Sequence, residues 1–314
     1  MLAREHLDSN ETLFFRRQLE TIMSDIERVK YPEFKQRELI PVDFQGKDSK
    51  FLTYLQYDSA GVAQWIANYA DDLPNVSING KEFTATVKDF GASYSFSYKD
   101  IRNASKANLN LDSEGAGIAK RVCLQKEKNA AFYGDASVGI GGFLTNPNVT
   151  RATAPADGAS SSTKFEDKTP DQILRDLGSI ETAMIDLTNE IEVPDTMIMP
   201  PAILSYLKLT KVSSLSSDSI LKVFLGNSEN IKQIVSCLPC KEPAAGWASV
   251  GADFTGNIIV AYRRSPEVLR LHVPNDFEQH APIQVNLSQK VNCTQSTAGV
   301  VIRRPLGVYI LENV

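Results

Sequence analysis

The chain has 314 residues, 42% of them hydrophobic and 23% charged, with a formal net charge of −5 and a pI near 5.4. Those values describe a globular protein long enough for two packed domains; they exclude general disorder and the strongly basic footprint of a protein that grips nucleic acid by its phosphates. Four cysteines are too few for a disulfide framework, no apolar run approaches the roughly 18 residues that span a bilayer, and the N-terminus has no signal-peptide core, so the sequence predicts folding in a reducing cytosol with no membrane partner.

Residues 9–30 read as a helix, with Asp8 as cap and Glu11 three residues on. Phe15, Leu19, Ile22, Ile26 and Val29 form one apolar stripe, and Tyr31-Pro32 ends it. The stripe has two readings: packing on its own domain, or an arm laid on a neighbouring subunit. Residues 49–57 alternate as a strand, with Phe51, Thr53, Leu55 and Tyr57 on one face. Residues 59–75 are irregular and carry Trp65, Tyr69 and the acidic turn Asp71-Asp72-Leu73-Pro74. Between Val76 and Phe83, Asn79-Gly80 offers the two positive φ values of a type I′ hairpin turn. A further strand ends in Tyr94-Ser95-Phe96-Ser97-Tyr98. Residues 49–98 are therefore expected as one long hairpin with an elaborated tip. A two-stranded ribbon is marginal alone, so its aromatics need partners, on their own chain or on another subunit.

Residues 111–133 are the longest helix candidate, with Asp112 or Ser113 at the start and Gly134 past the end. Ile118, Val122, Gln125, Ala130 and Phe132 give it a thin apolar stripe, which suits a helix lying across a surface. Residues 151–168 are Ala/Ser/Thr-rich and read as a surface loop. Thr169 and Pro170 open a helix over 170–188, with a stripe of Ile173, Leu177, Ile180, Met184 and Leu187. Short strands follow at Thr196–Met199, Val235–Pro239, Ile258–Tyr262 and Val268–His272, with a helix from Pro200-Pro201 through Leu207. From 282 onward the pattern is β, through Ile283/Val285/Leu287, Val300/Ile302 and Val308/Ile310.

Motifs for chemistry are sparse. Cys237-Leu238-Pro239-Cys240 has the spacing of half a zinc site or of a thiol redox pair, but no further ligands lie at short spacing and the surrounding strand–helix context is weak; it reads as structural. Gly139-Ile140-Gly141-Gly142 lacks the Gly-Lys-Ser/Thr of a phosphate loop and reads as a turn. His6, His272 and His280 have no metal-ligand spacing and read as surface or loop residues, and no GxSxG is present. No catalytic, cofactor-binding or metal-binding residue is assigned.

The order of these elements resembles the tailed-bacteriophage major capsid fold, of the type first seen in phage Hong Kong ninety-seven, over most of the chain. Tyr94 through Ala104 is similar to the strand and short helix that lead into that fold's spine helix. Glu127 through Asp135, with Gly139 to Leu144, is similar to the end of the spine and its glycine turn, a stretch that encapsulins share. Gly299 through Val308 resembles the last strand pair. The resemblance implies an α+β fold with an N-terminal arm (1–45) and an extended E-loop hairpin (46–98). It implies a peripheral domain with a long spine helix (99–190 and 271–314) and an axial domain (191–270). It implies a non-enzymatic, cofactor-free subunit that self-assembles through hexamers and pentamers into an icosahedral shell around phage double-stranded DNA, held without sequence-specific binding. Portal, scaffold or decoration proteins would be its other partners, the virion capsid its location and the host bacterial cytoplasm its place of synthesis. No long scaffolding segment precedes the arm, which implies a separate scaffold or none. Some relatives crosslink an E-loop lysine to a peripheral-domain asparagine; Lys81 and Asn292 have the right types, and nothing in the sequence brings them together. Expected subunit contacts are Trp65, Tyr69, Phe83, Phe90, Tyr94, Phe96 and Tyr98 along the hairpin, and Phe15, Leu19 and Ile22 on the arm. The rival readings are an encapsulin-like compartment, a tail or baseplate protein, and a thiol- or metal-dependent enzyme using Cys237 and Cys240.

Overall fold

The computed structural model describes residues 33–60, 77–107, 111–213, 217–242, 254 and 256–314. The expected arm helix over 9–30 lies outside them. In chain order come α1 (Gln36–Leu39), β1 (Val42–Asp43), β2 (Phe51–Ala60), β3 (Ser77–Thr86), β4 (Lys88–Ser97), α2 (Tyr98–Ala107) and α3 (Leu111–Tyr133). After them run β5 (Thr150–Thr153), α4 (Pro170–Thr188), β6 (Thr196–Met199), α5 (Pro201–Leu209), α6 (Ile220–Asn227) and β7 (Gln233–Ser236). The last part is all strand: β8 (Ile259–Tyr262), β9 (Leu269–His272), β10 (Glu278–Gln279), β11 (Ile283–Val285), β12 (Ser288–Thr297), β13 (Gly299–Ile302) and β14 (Val308–Glu312).

The centre is a five-stranded sheet in the order β5-β14-β8-β6-β7. Two of its three inner strands, Thr196–Met199 and Ile259–Tyr262, are buried at every residue, as continuous apolar runs must be when both faces are covered. One face packs Ile198, Val260, Tyr262 and Ile310 against Ala131 and Phe132 at the end of α3. The other packs Met197, Met199, Ile259 and Leu311 against α4, α5 and α6 through Ile173, Leu177, Ile180, Leu207 and Phe224. Helix α4 begins with a full capping box between Thr169 and Gln172. Its stripe holds as far as Met184, but Leu187 is 48% exposed, and the buried face in the last turn passes to Thr188. The 151–168 loop is less superficial than its composition suggests. Its start is β5, parallel to β14, and Lys168 lies buried with Nζ 2.5 Å from Asp176 Oδ2, an ion pair that pins the loop's end to α4.

Two expectations about the hairpin need correction. β2 and β3 pair antiparallel over ten positions, from Phe51↔Thr86 to Ala60↔Ser77. Asn79 and Gly80 therefore sit inside β3, opposite Asp58 and Tyr57, without the positive φ of a turn. Ten consecutive ladder pairs outweigh the local preference of one dipeptide, and the reversal falls between 60 and 77, outside the described residues. The hairpin also ends earlier than expected. After buried Val87 the chain changes partner, and β4 pairs with β12 along ten positions, Lys88↔Thr297 to Ser97↔Ser288. The strand Ser288–Thr297 has no clean apolar alternation, so the sequence did not advertise β4's partner.

The spine helix α3 has the expected bounds; of its expected stripe Ala130 and Phe132 are buried, but the earlier positions Ile118, Val122 and Gln125 are not. Gly115, Ala119, Cys123, Glu127 and Ala130 point inward, whereas Ile118 and Val122 are 55% and 45% exposed. The small residues let the helix close on β4, whose aromatics fill the gap. A Cβ added at Gly115 would lie 2.6 Å from the Tyr94 ring and 3.0 Å from the Phe96 ring.

The spine ends in the glycine turn. Gly134 and Gly139 have φ of +71° and +74°, and Asp135 and Ile140 exchange backbone hydrogen bonds of 2.9 and 3.0 Å. The returning chain then donates from Phe143 and Leu144 to the Ala131 and Phe132 carbonyls, both at 2.8 Å. Gly142 is packed so tightly on the helix end that a Cβ would fall inside contact distance of the Tyr133 carbonyl carbon and the Gly134 nitrogen. Gly142→Ala is expected to lower unfolding free energy by about 2–3 kcal/mol, the usual cost of overpacking against an unyielding neighbour. Chemical denaturation measures it; an unchanged midpoint would mean the turn is not closed as described.

Candidate assembly surfaces

The pleat gives the β2–β3 ribbon two faces. On one, Tyr54 stacks on Phe83 with ring centroids 5.3 Å apart. Arg303 lies 5.1 Å over Tyr54 and Lys81 5.0 Å over Phe83. This face seats the ribbon root on its own chain, and burial pushes the Tyr54 phenol up despite Arg303. On the other face Phe51, Leu55, Tyr57 and Ile78 are 61%, 54%, 70% and 74% exposed. Four large apolar side chains on one face of a projecting ribbon are a contiguous patch of the kind that marks an interaction surface. Beneath the seated face lies a cleft of about 580 Å³, lined by Tyr54, Phe83, Leu187, Ile191, Arg303 and Leu306 among others.

The aromatics of β4 are placed differently. Phe90, Tyr94 and Phe96 are half-buried. The Tyr94 and Phe96 rings lie 5.5 Å apart against Gly115 of the spine. The Tyr94 hydroxyl donates to Asp112 Oδ1 at 2.6 Å and accepts from Gln279 Nε2 at 2.8 Å; burial and Asp112 raise its pKa. Tyr94 and Phe96 thus complete their own subunit, because the partner change at Val87 turns this strand onto the spine. Tyr98 is exposed, with Arg102 5.1 Å over its ring. Trp65 and Tyr69, like Phe15, Leu19 and Ile22, lie outside the described residues. Phe51, Leu55 and Tyr57 share one strand face in the sequence but were not among the expected contacts; that alternation was the signal for this surface. Of the cleft residues, Leu187 was legible only as part of a helix stripe, and Ile191 and Leu306 had no local signal, because segments distant in sequence build the cleft.

A buried polar hub holds the root of these surfaces. Glu127 on the spine is fully buried. Its Oε1 accepts from Arg37 Nε at 2.9 Å and Gln36 Nε2 at 3.2 Å, and its Oε2 accepts from Arg37 Nη2 at 2.7 Å and from Gln295. Arg37 also reaches Asp276 at 2.7 and 3.2 Å. Nearby, Asp43 accepts from Arg270 at 2.9 Å. His272, expected at the surface, is instead buried in β9, and burial pushes its pKa down although Asp43 stands beside it.

The cysteines offer no reactive arrangement. Cys237 and Cys240 are free and buried, and burial, with the neighbouring Cys237, raises the Cys240 thiol pKa, which disfavours a thiolate. Among the described residues no group of three or more His, Cys, Asp or Glu side chains could hold a metal ion, and no helix is long and apolar enough to cross a membrane.

The model of the family described as "Major capsid protein" matches residues 61–313. No curated protein sequence matches the chain. Among solved structures it is similar to the capsid of Myoviridae phage XM1, at 15% identity with a TM-score of 0.78, covering 96% of this chain and 99% of that one. The capsid of a native GTA particle matches at 12% identity and TM-score 0.64, over 98% and 99% of the two chains. A virus-like particle from Pyrococcus furiosus matches at 14% identity and TM-score 0.51, over 88% and 91%.

Proposed function

The chain belongs to the major capsid protein family, and from that premise we propose that the outer face of the β2–β3 ribbon docks on a neighbouring copy of the same subunit. The exposure of Phe51, Leu55, Tyr57 and Ile78 carries the reading. Burying such a side chain is worth roughly 1.5–3 kcal/mol, offset in part by the cost of ordering the partners. A contact between two different surfaces gives a ring when its rotation closes, which fits hexamers and pentamers joined into an icosahedral shell. In this reading the β2–β3 part of the expected E-loop (46–98) reaches outward, while β4 and the end of the expected arm (1–45), which carries α1 and β1, join the peripheral (99–190 and 271–314) and axial (191–270) domains in the body. Phage double-stranded DNA is the enclosed content, portal, scaffold or decoration proteins are further partners, and synthesis takes place in the host cytoplasm.

Negative-stain microscopy of the purified chain at high concentration is expected to show closed particles or capsomer rings; a compact monomer under the same conditions would overturn the proposal. Nuclease-protected DNA in particles made during infection is the expected content, and enclosed protein cargo in its place would favour the encapsulin-like alternative.

A further inference from the structure

The proposed ribbon contact leaves open how the backbone engages. β4 is ten residues long and, among the described residues, pairs only with β12. The direction of its hydrogen bonds follows from one bond. Tyr98 N–H donates to the Leu287 carbonyl at 2.9 Å, continuing the β4–β12 register by one step. In an antiparallel ladder such bonded positions alternate, so Phe90, Ala92, Tyr94 and Phe96 face β12 with their N–H and C=O groups. Gly91, Ser93, Ser95 and Ser97 face the opposite way. Ser97 agrees with this parity, since its N–H is taken by Asp100 Oδ2 at 3.1 Å. Gly91, Ser93 and Ser95 thus present a row of backbone groups along an open edge.

Proteins guard such edges with charges, proline or bulges. β4 opens with the charged pair Lys88-Asp89, but from Phe90 to Tyr98 the sequence is FGASYSFSY, with no charge and no proline, and the ten-position register with β12 is continuous. The edge of β2 is similarly unguarded: Asp58 is the one charge in Phe51–Ala60, whereas β3 carries Lys81 and Glu82 side by side. β2 and β4 have equal length, and among the described residues β2 pairs only with β3.

We propose that the open edge of β4 is completed by β2 of a second copy, which adds the neighbour's ribbon to this sheet by backbone hydrogen bonding. This rests on the ribbon-docking reading and deepens it. Edge and ribbon are different surfaces, so the pairing is head-to-tail and compatible with ring closure.

Hydrogen exchange on particles and on unassembled subunits tests it. The amides of Gly91, Ser93 and Ser95 should exchange at least about 100-fold more slowly in particles, while those of Ala92 and Tyr94 are protected in both. Equal rates for the first three in particles would overturn the pairing. The double variant Ser93→Pro/Ser95→Pro removes two outward N–H groups and spares the β12 ladder, a position where strands tolerate proline. It is expected to keep the native far-ultraviolet dichroism and lose assembly; normal particles would reject the inference. If the variant misfolds, exchange on the native chain decides. Ser95→Cys combined in turn with Thr53→Cys, Leu55→Cys and Tyr57→Cys should yield intermolecular β4–β2 disulfides in particles. Links between two β4 strands, or none, would reject β2 as the occupant. Particles that form while these tests fail sink the edge pairing alone; failure of the native chain to form particles sinks the docking reading itself.

Discussion

Replacing Glu127 with alanine is expected to destabilise the folded subunit by about 3–5 kcal/mol, the range for breaking a buried ion pair from one side. The carboxylate is fully buried and takes four hydrogen bonds from three side chains. Its removal strands the Gln295 amide, leaves the Gln36 amide only the Leu124 carbonyl at 3.4 Å, with both side chains about 1% exposed, and leaves Arg37 to Asp276 alone. Glu127 and Asp276 hold the Arg37 pKa above its usual value against the cost of burial, so the guanidinium cannot shed its charge to escape the loss. Urea denaturation should show a lower midpoint at constant slope, which identifies a change in stability and not in the extent of unfolding. Glu127→Gln keeps the shape and one acceptor oxygen and should fall between alanine and the native residue. A loss below about 1 kcal/mol, the scale of an exposed pair, would mean that water reaches the hub. The consequence extends beyond the hub. Arg37 sits in α1, just before the chain enters β1 and the ribbon, so Glu127 fixes where the ribbon starts relative to the spine.

The helices were legible because their signals are local. The caps at Thr169 and Gly134 and the length of the 111–133 segment can be read along the chain without its partners. The spine's inward face was not legible. A hydrophobic stripe is sought among large residues, and Ile118 and Val122 met that criterion, but the contact with β4 selects the smallest residues, Gly115, Ala119 and Cys123, because Tyr94 and Phe96 occupy the space. Asn79-Gly80 failed for a related reason: a turn dipeptide states a preference of one or two residues, and a ten-position ladder overrides it. The partner change at Val87 and the identity of β12 are non-local facts, since roughly two hundred residues separate β4 from Ser288 and the polar run there has no period-two signal. For the assembly surface the alternation of Phe51, Leu55 and Tyr57 was visible, but which face of the strand stays wet depends on where Arg303 lies. Arg303 comes from the far end of the chain and covers Tyr54, leaving the opposite face exposed.

That asymmetry gives the largest expected effect on assembly. The quadruple variant Phe51→Thr/Leu55→Lys/Tyr57→Ser/Ile78→Thr changes only side chains that are more than half exposed. Each change should therefore move subunit stability by no more than about 0.5 kcal/mol, and the denaturation midpoint should stay close to native. If docking buries these four side chains, even about 4 kcal/mol of lost burial per contact raises the concentration needed for assembly by roughly three powers of ten. Light scattering against protein concentration, under conditions where the native chain assembles, reads that threshold directly. Tyr54→Ala provides the contrast. It removes the ring between Phe83 and Arg303, so it should loosen the ribbon on its own subunit and lower stability while leaving the outer face intact. An unchanged threshold in the quadruple variant would show that the exposed face is not the docking face, whatever Tyr54→Ala does, because no other alteration of the ribbon leaves the subunit so nearly untouched.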